Sequence, residues 1–182
     1  MRQNTHMATT SSEPVFRICF VCTGNICRSP MAEVIMRRFV EDRGLQHAIR
    51  LSSAGTGEWH VGEKADPRTR AALERAGYSG ESHRAKQFDP DTFDQFDLIL
   101  TFDRGQLRIL HSWAEREQDR ALVQPLLHFD PARAHNLEVP DPYYGDDELF
   151  DEVRDVIERA CEQLLQQIEP AVRAAIDAAS PR

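Results

Sequence analysis

No stretch of this 182-residue chain stays apolar for the roughly 18 residues that a membrane-spanning helix needs, so no membrane partner is expected. An excess of basic charge is missing too. Thirty acidic side chains outnumber 22 basic ones, and a net charge of −8 argues against nucleic acid as a partner. The four cysteines are not spaced as a disulfide framework: Cys19, Cys22 and Cys27 lie close together and Cys161 is far downstream. A zinc site would want a second ligand pair at matching spacing, and the histidines are scattered, so no metal is expected. Residues 1–14 are polar and rich in Thr and Ser, without the apolar core of a secretory signal. They are read as a disordered tail, and the expected compartment is the cytoplasm.

What is present suits one globular domain. At 41% hydrophobic residues the chain can bury a core, which excludes wholesale disorder. Residues 15–21 form a short, nearly continuous apolar run, the pattern of a strand buried on both faces. Ser29-Pro30 then opens a helix, with serine as N-cap and proline at the first helical position, and Met31, Ile35 and Phe39 make its apolar stripe. A second strand is expected at residues 49–53, ending at Ala54-Gly55. A second helix starts at Asp66-Pro67, faces Ala72, Leu73 and Ala76 inward, and stops at Gly77. Residues 96–102 read as a third buried strand, 104–113 as its crossover helix and 123–127 as a weaker fourth strand. A long helix over 147–168 lines up Phe150, Val153, Ile157, Cys161, Leu164 and Ile168, which makes Cys161 a core residue. The alternation predicts an α/β fold, a mostly parallel sheet covered by helices on both faces. Its ligand site belongs at the carboxyl ends of the strands, where the loops after Val21, Ser53 and Phe102 would meet. The domain is taken as 15–170, with 171–182 as a C-terminal extension.

The chemistry concentrates in the first of those loops, Cys22-Thr23-Gly24-Asn25-Ile26-Cys27-Arg28-Ser29. Backbone N–H groups of a loop that wraps before a helix N-terminus point inward and bind a tetrahedral anion. Gly24 allows the tight path, and Arg28 adds a planar, two-pronged donor suited to phosphate. The same field favours a thiolate, so Cys22 is expected to be a nucleophile at neutral pH, with Ser29 donating a hydrogen bond to the sulfur.

Such a nucleophile needs a proton donor for the group it expels. Spacing does not choose among Asp103, Asp130, Glu138 and Asp141. Residue types favour Asp141, which sits in the stiff Pro140-Asp141-Pro142-Tyr143-Tyr144-Gly145 segment, where a carboxylate can be held over a pocket walled by tyrosines. A turn ahead of the last helix with two surface tyrosines is the plainer alternative.

The long motif Val21-Cys22-Thr23-Gly24-Asn25-Ile26-Cys27-Arg28-Ser29-Pro30-Met31-Ala32-Glu33 resembles the active-site loop of the low-molecular-weight protein tyrosine phosphatases, most closely the bacterial, actinobacterial-type members. The likeness continues, in the family's order, at Ser53-Ala54-Gly55-Thr56, Trp59-His60-Val61-Gly62, His83-Arg84-Ala85 and Asp141-Pro142-Tyr143-Tyr144-Gly145, covering about 16–168. The resemblance implies a four-stranded parallel sheet and an enzyme without metal or other cofactor. By motif position Cys22 would be the nucleophile, Arg28 the phosphate clamp and Asp141 the general acid. Thr23, Gly24, Asn25, Ile26, Cys27 and Ser29 would form the phosphate-binding loop, with Ser53 and His83 in its supporting network. Trp59, Tyr143 and Tyr144 would rim a cleft deep enough to select an aryl phosphate.

The resemblance further implies a tyrosine-phosphorylated protein as substrate, phosphate or a similar oxyanion in the site, and a cognate tyrosine kinase as a partner. Some bacterial relatives act outside the cell without a signal peptide, so export without a leader is compatible with it. Within the loop, Cys27 reads either as a disulfide partner for Cys22 under peroxide or as a small packing residue. Three other readings compete. An arsenate reductase would need two further cysteines downstream of the third strand, and none lies between Cys27 and Cys161. A protein-arginine phosphatase typically carries threonine where this chain has Ile26. A phosphotyrosine binder or peroxide sensor without turnover would usually lack the nucleophile, the clamp or the acid.

Overall fold

The computed structural model describes residues 14–133 and 135–179, so the tail expected at 1–14 lies outside the described residues apart from Pro14. Four strands form one sheet: β1 (Phe16–Cys22), β2 (Ile49–Gly55), β3 (Leu98–Thr101) and β4 (Val123–Pro125). Their spatial order is β2-β1-β3-β4 and every neighbouring pair is parallel. β1 sits inside because its residues can be buried on both faces. Ile18, Phe20 and Cys22 enter a larger core, while Cys19 and Val21 enter a smaller one. That alternation is the two-residue period of a strand. Fully burying a side chain such as Phe20 stabilises the fold by about 1.5–3 kcal/mol.

Helices cover both faces. The larger core takes Met31, Ile35 and Met36 from α1 (Arg28–Asp42), Ala72 and Leu73 from α2 (Pro67–Arg75), and Phe150, Val153, Ile157, Cys161 and Leu164 from α5 (Asp147–Ala179). On the other face Leu110 of α3 (Arg104–Trp113) joins Phe88, Phe93, Ile99 and Val123. The short α4 (Glu117–Ala121) leads into β4. No described helix is long and apolar enough to cross a membrane.

Several expected details are corrected. Ser29 is not the N-cap of α1. The helix begins two residues earlier than expected, at Arg28, its N-cap Cys27 makes no side-chain cap, and the Ser29 hydroxyl turns inward. Pro30, at the third helical position, still needs no intrahelical partner for its missing N–H. Ala76 is exposed as the C-cap of α2, while Gly77 beyond it takes φ +83° as expected. β3 is shorter than 96–102 because Phe96 caps the 3₁₀ turn Pro90–Gln95. β4 stops at Pro125, where the 3₁₀ turn Leu126–Phe129 takes over. The last helix runs past 168 through Pro170 to Ala179, with Val172 buried.

The chain passes from β1 to β2 on one side and to β3 on the other, so the sheet order reverses at β1. In the register, Val21 lies beside Ala54 of β2 and Thr101 of β3, which brings their carboxyl ends level. The crevice outside these ends is where doubly wound sheets bind ligands.

Candidate active site

The loop from β1 to α1 is held in shape by Asn25. This residue takes φ +56°, a left-handed conformation that asparagine tolerates better than most residues. Its amide Nδ2 donates to Ser29 Oγ at 2.8 Å and to Ser53 Oγ at 3.0 Å, and its Oδ1 accepts from the backbone N–H of Lys86 at 2.9 Å. His83 Nε2 lies 2.7 Å from the Asn25 carbonyl oxygen. Burial lowers the pKa of that imidazole below its usual value. Ser53 in turn donates to Glu33 Oε2 at 2.6 Å, and Ser29 Oγ stands 2.9 Å from Cys22 Sγ. One hydrogen-bonded chain thus runs from Glu33 through Ser53, Asn25 and Ser29 to the sulfur.

β2 supports the same loop from the side. Thr56 N donates to the Cys22 carbonyl at 2.8 Å and Gly57 N to the Thr23 carbonyl at 2.9 Å. The approach is so close that a Cβ on Gly55 would lie 2.7 Å from the Thr23 oxygen, so only glycine fits there.

Arg28 is buried, and its guanidinium is engaged from three directions. Nη1 donates to Asp103 Oδ2 at 3.0 Å and to the Val139 carbonyl at 3.2 Å, and Nη2 donates to Asp141 Oδ2 at 2.9 Å. Asp141 is placed by its own loop: Val139 N bonds the Phe102 carbonyl at 2.7 Å, and Tyr143 N bonds Asp141 Oδ1 at 3.2 Å. The four acidic candidates are separated by this geometry. Asp103 and Asp141 both reach Arg28, Asp130 is buried against Arg159 at 2.8 Å, and Glu138 lies half-exposed near Arg104.

Cys22, Thr23, Gly24, Ile26, Cys27 and Arg28 line a cleft of about 290 Å³, and Trp59, His60, Asp141, Tyr143 and Tyr144 wall it. Every residue expected at the phosphate-binding loop or the rim lines this cleft except Asn25 and Ser29, which lie beneath it, buried. The tyrosine rings meet edge-on with centroids 4.9 Å apart, and the Arg68 guanidinium stands 5.8 Å from the Tyr143 ring. All four cysteines are free thiols. Burial pushes the Cys27 and Cys19 thiols up to about 12 and raises the Cys161 thiol too, so all three stay protonated at neutral pH. Among the described residues no group of three His, Cys, Asp or Glu side chains is arranged to hold a metal ion.

Four contributors were not singled out from the sequence. Glu33 and His60 lie inside motifs but carry no signal of their own. Asp103 was one acid among several, with no indication that it would hold Arg28. Gln106 was missed altogether: buried, it donates from Nε2 to Thr23 Oγ1 at 3.2 Å and to Asp103 Oδ2 at 2.8 Å, while its backbone N–H bonds Asp103 Oδ1 at 2.9 Å. An Asp followed three residues later by Gln ahead of a helix is a capping signature, and it was legible in the sequence.

The model of the family described as low molecular weight phosphotyrosine protein phosphatase matches residues 17–174. A low molecular weight protein-tyrosine-phosphatase of Streptomyces coelicolor is 50% identical over 158 residues, 86% of this chain and 96% of its own. The crystal structure of YfkJ from Bacillus subtilis superposes with a TM-score of 0.80 at 36% identity, covering 87% of this chain and 98% of that one. A structure of the YwlE arginine phosphatase is also similar, with a TM-score of 0.75 at 28% identity over 85% of this chain and 96% of that one. On a match that spans nearly all of the described residues, the chain belongs to the low molecular weight phosphotyrosine protein phosphatase family.

Proposed function

We propose that this protein hydrolyses protein phosphotyrosine through a phosphocysteine intermediate, without a metal. The observation that carries the reading is the convergence of Cys22, Arg28 and Asp141 on one cleft, with Arg28 tied directly to Asp141. Cys22 Sγ, as thiolate, attacks phosphorus in line while Arg28 and the loop amides hold the equatorial oxygens. The S–P bond forms, the P–O bond to the tyrosine breaks, and Asp141 gives its proton to the departing phenolic oxygen. Asp141 then takes a proton from water, whose oxygen attacks phosphorus. The S–P bond breaks, and phosphate and thiolate are released. Ser29 can donate to the sulfur in both steps, because Asn25 donates to the Ser29 oxygen and leaves its proton free. Positioning, charge stabilisation and proton transfer share the lowering of the barrier.

The aromatic lining of the cleft supports an aryl phosphate. Trp59, Tyr143 and Tyr144 wall it together with Ile26, offering a phenyl ring apolar contact that the short side chain of phosphoserine would leave unused. A second reading, phosphoarginine hydrolysis, is favoured by the similarity to YwlE. Ile26 weighs against it, since its branched apolar side chain lines the cleft and suits a phenyl ring better than a guanidinium.

Turnover of phosphotyrosine, phosphoarginine and phosphoserine peptides in EDTA tests the proposal. Phosphotyrosine alone should be hydrolysed, Cys22→Ser should abolish turnover, and Asp141→Ala should slow it by about 10²–10⁴-fold. Preference for phosphoarginine would replace the substrate assignment. Full activity in Cys22→Ser would end the phosphocysteine mechanism.

A further inference from the structure

Beside the catalytic cleft, on the far side of Asp103, lies a second recess of about 300 Å³. Leu107, Pro125 and Leu137 give it an apolar lining, and Arg104 and Arg108 stand at its edge. Arg104, Leu107 and Arg108 are spaced i, i+3 and i+4 on α3, so they share one face of that helix. The three apolar residues are only partly buried, which leaves surface for a further contact.

Recess and cleft have a common wall. Asp103 lines the recess, and the same carboxylate holds Arg28 Nη1 at 3.0 Å. On the other side Leu137 stands two residues ahead of Val139, whose carbonyl also holds Arg28. Asp103 and the stretch from Leu137 to Val139 thus connect the recess to the arginine at the cleft floor.

Charge identifies what the recess would take. The chain as a whole carries −8, so an acidic peptide is repelled by most of the surface and needs a local source of positive charge. Most arginines here are already closed onto carboxylates, as Arg68 is on Asp66 at 2.8 Å and Arg75 on Asp151 at 2.9 Å. The two at the recess differ. The Arg104 side chain is 80% exposed and only loosely paired, its Nε 3.9 Å from the Glu138 carboxylate, which also accepts from the Arg104 backbone N–H at 3.3 Å. Arg108 is exposed, and among the described residues it makes no ion pair. A free guanidinium over an apolar floor complements a carboxylate side chain next to an apolar one.

We propose that the recess lined by Leu107, Pro125 and Leu137 beneath Arg104 and Arg108 binds substrate residues flanking the phosphotyrosine, selecting phosphopeptides that carry an apolar and an acidic residue close to it. This subsite rests on the phosphotyrosine reading above and names the class of protein substrate for it.

The test compares kcat/KM for phosphotyrosine peptides in which a Leu-Glu pair, or a Leu-Lys pair, is moved through three positions on either side of the phosphorylated residue. 4-Nitrophenyl phosphate, which has no flanking residues, serves as the reference substrate. Wild-type protein should prefer one or more Leu-Glu peptides over their Leu-Lys counterparts by about fivefold, the scale of one exposed ion pair. Arg108→Glu should erase or invert that preference, Arg108→Lys should keep most of it, and both variants should hydrolyse 4-nitrophenyl phosphate as wild type does. Equal kcat/KM across all the peptides overturns the subsite. So does a preference that survives Arg108→Glu, or a loss in Arg108→Glu that falls equally on 4-nitrophenyl phosphate. If the wild type hydrolyses no phosphotyrosine and no 4-nitrophenyl phosphate, the reading beneath it fails, and the subsite with it.

Discussion

At the floor of the cleft Asn25 is 1% exposed and every polar atom of its side chain is engaged, whereas at the rim Tyr144 is 95% exposed and its ring packs edge-on against Tyr143. The floor is a closed hydrogen-bond network that runs into the sheet through Ser53 and into α1 through Ser29. The rim consists of large side chains on loops, with Trp59 72% exposed. Donors fixed before the reaction need not reorganise as charge develops on phosphorus, so a rigid floor serves the chemistry. An exposed aromatic rim can adapt to whatever protein surface surrounds the phosphotyrosine, at the cost of ordering those side chains on binding. Under the proposed function the two regions divide the work between rate and recognition.

The sharpest contrast falls within the floor itself. Cys22 and Cys27 are five residues apart in one loop and both line the cleft, yet burial holds the Cys27 thiol protonated, while Cys22 has a hydroxyl 2.9 Å from its sulfur. Iodoacetate at pH 7 should therefore label Cys22 at least about 100-fold faster than Cys27, Cys19 or Cys161, and phosphate should protect it. Mass spectrometry of the labelled peptides decides; equal labelling of Cys22 and Cys27 would remove the distinction.

Breaking the floor at Asn25 comes next. Asn25→Ala deletes three hydrogen bonds and leaves alanine at φ +56°, a loss of about 2–3 kcal/mol. Thermal unfolding should show Tm lower by about 4–10 °C, and kcat should fall with it. An unchanged Tm would mean that the network does not hold the loop.

At the rim, by contrast, Tyr144→Ala should raise KM for a phosphotyrosine peptide by about two- to fivefold and leave kcat and Tm near wild type, since its ring is almost wholly in solvent. A fall in kcat of the size expected for Asn25→Ala would show that floor and rim are not separable.

The smallest effect is one of pH. Burial keeps the folded pKa of His83 below the ordinary value near 6.5, so below that pH the unfolded chain binds more protons at this ring than the folded protein does. The stability gained from the neutral ring is complete above pH 6.5 and is lost as pH falls through the lower folded value. Between pH 7 and pH 5, wild type should lose more in Tm than His83→Gln; parallel losses would place the pH dependence elsewhere.

Elements with a strong local pattern were legible in the sequence. β1 is a run of apolar residues, α3 matches its expected limits, and Asp66-Pro67 starts α2 with the Asp66 side chain accepting from Arg68 N. What escaped local reasoning was governed by distant partners. Ser29 has the residue type of an N-cap, but its hydroxyl lies against Cys22 and Asn25 instead. Ala76 fits the inward stripe of α2 by spacing, yet the helix ends there and leaves it exposed. Spacing could not separate the candidate acids, and only the residue types around Asp141 favoured it; the fold separates them by the arginine it brings to each, Arg159 to Asp130 and Arg28 to Asp141.

The sequence by itself determined the class of fold and the loop at its centre, because apolar periodicity and the order of Cys22, Gly24, Arg28 and Ser29 are local properties of the chain. From beyond that loop the sequence motifs already named Ser53, His83 and Asp141; only the tertiary structure added Gln106 and the hold of Asp103 on Arg28, and decided how all five reach the loop. Ser53, His83, Asp103, Gln106 and Asp141 lie 24 to 119 residues from Ser29 or Cys22 along the chain, yet each reaches the loop or Arg28 within 3.2 Å. The alignment of three parallel strand ends and the packing of Val139 beside Phe102 bring them there. Those contacts depend on register and layer packing, which no local pattern in the chain encodes.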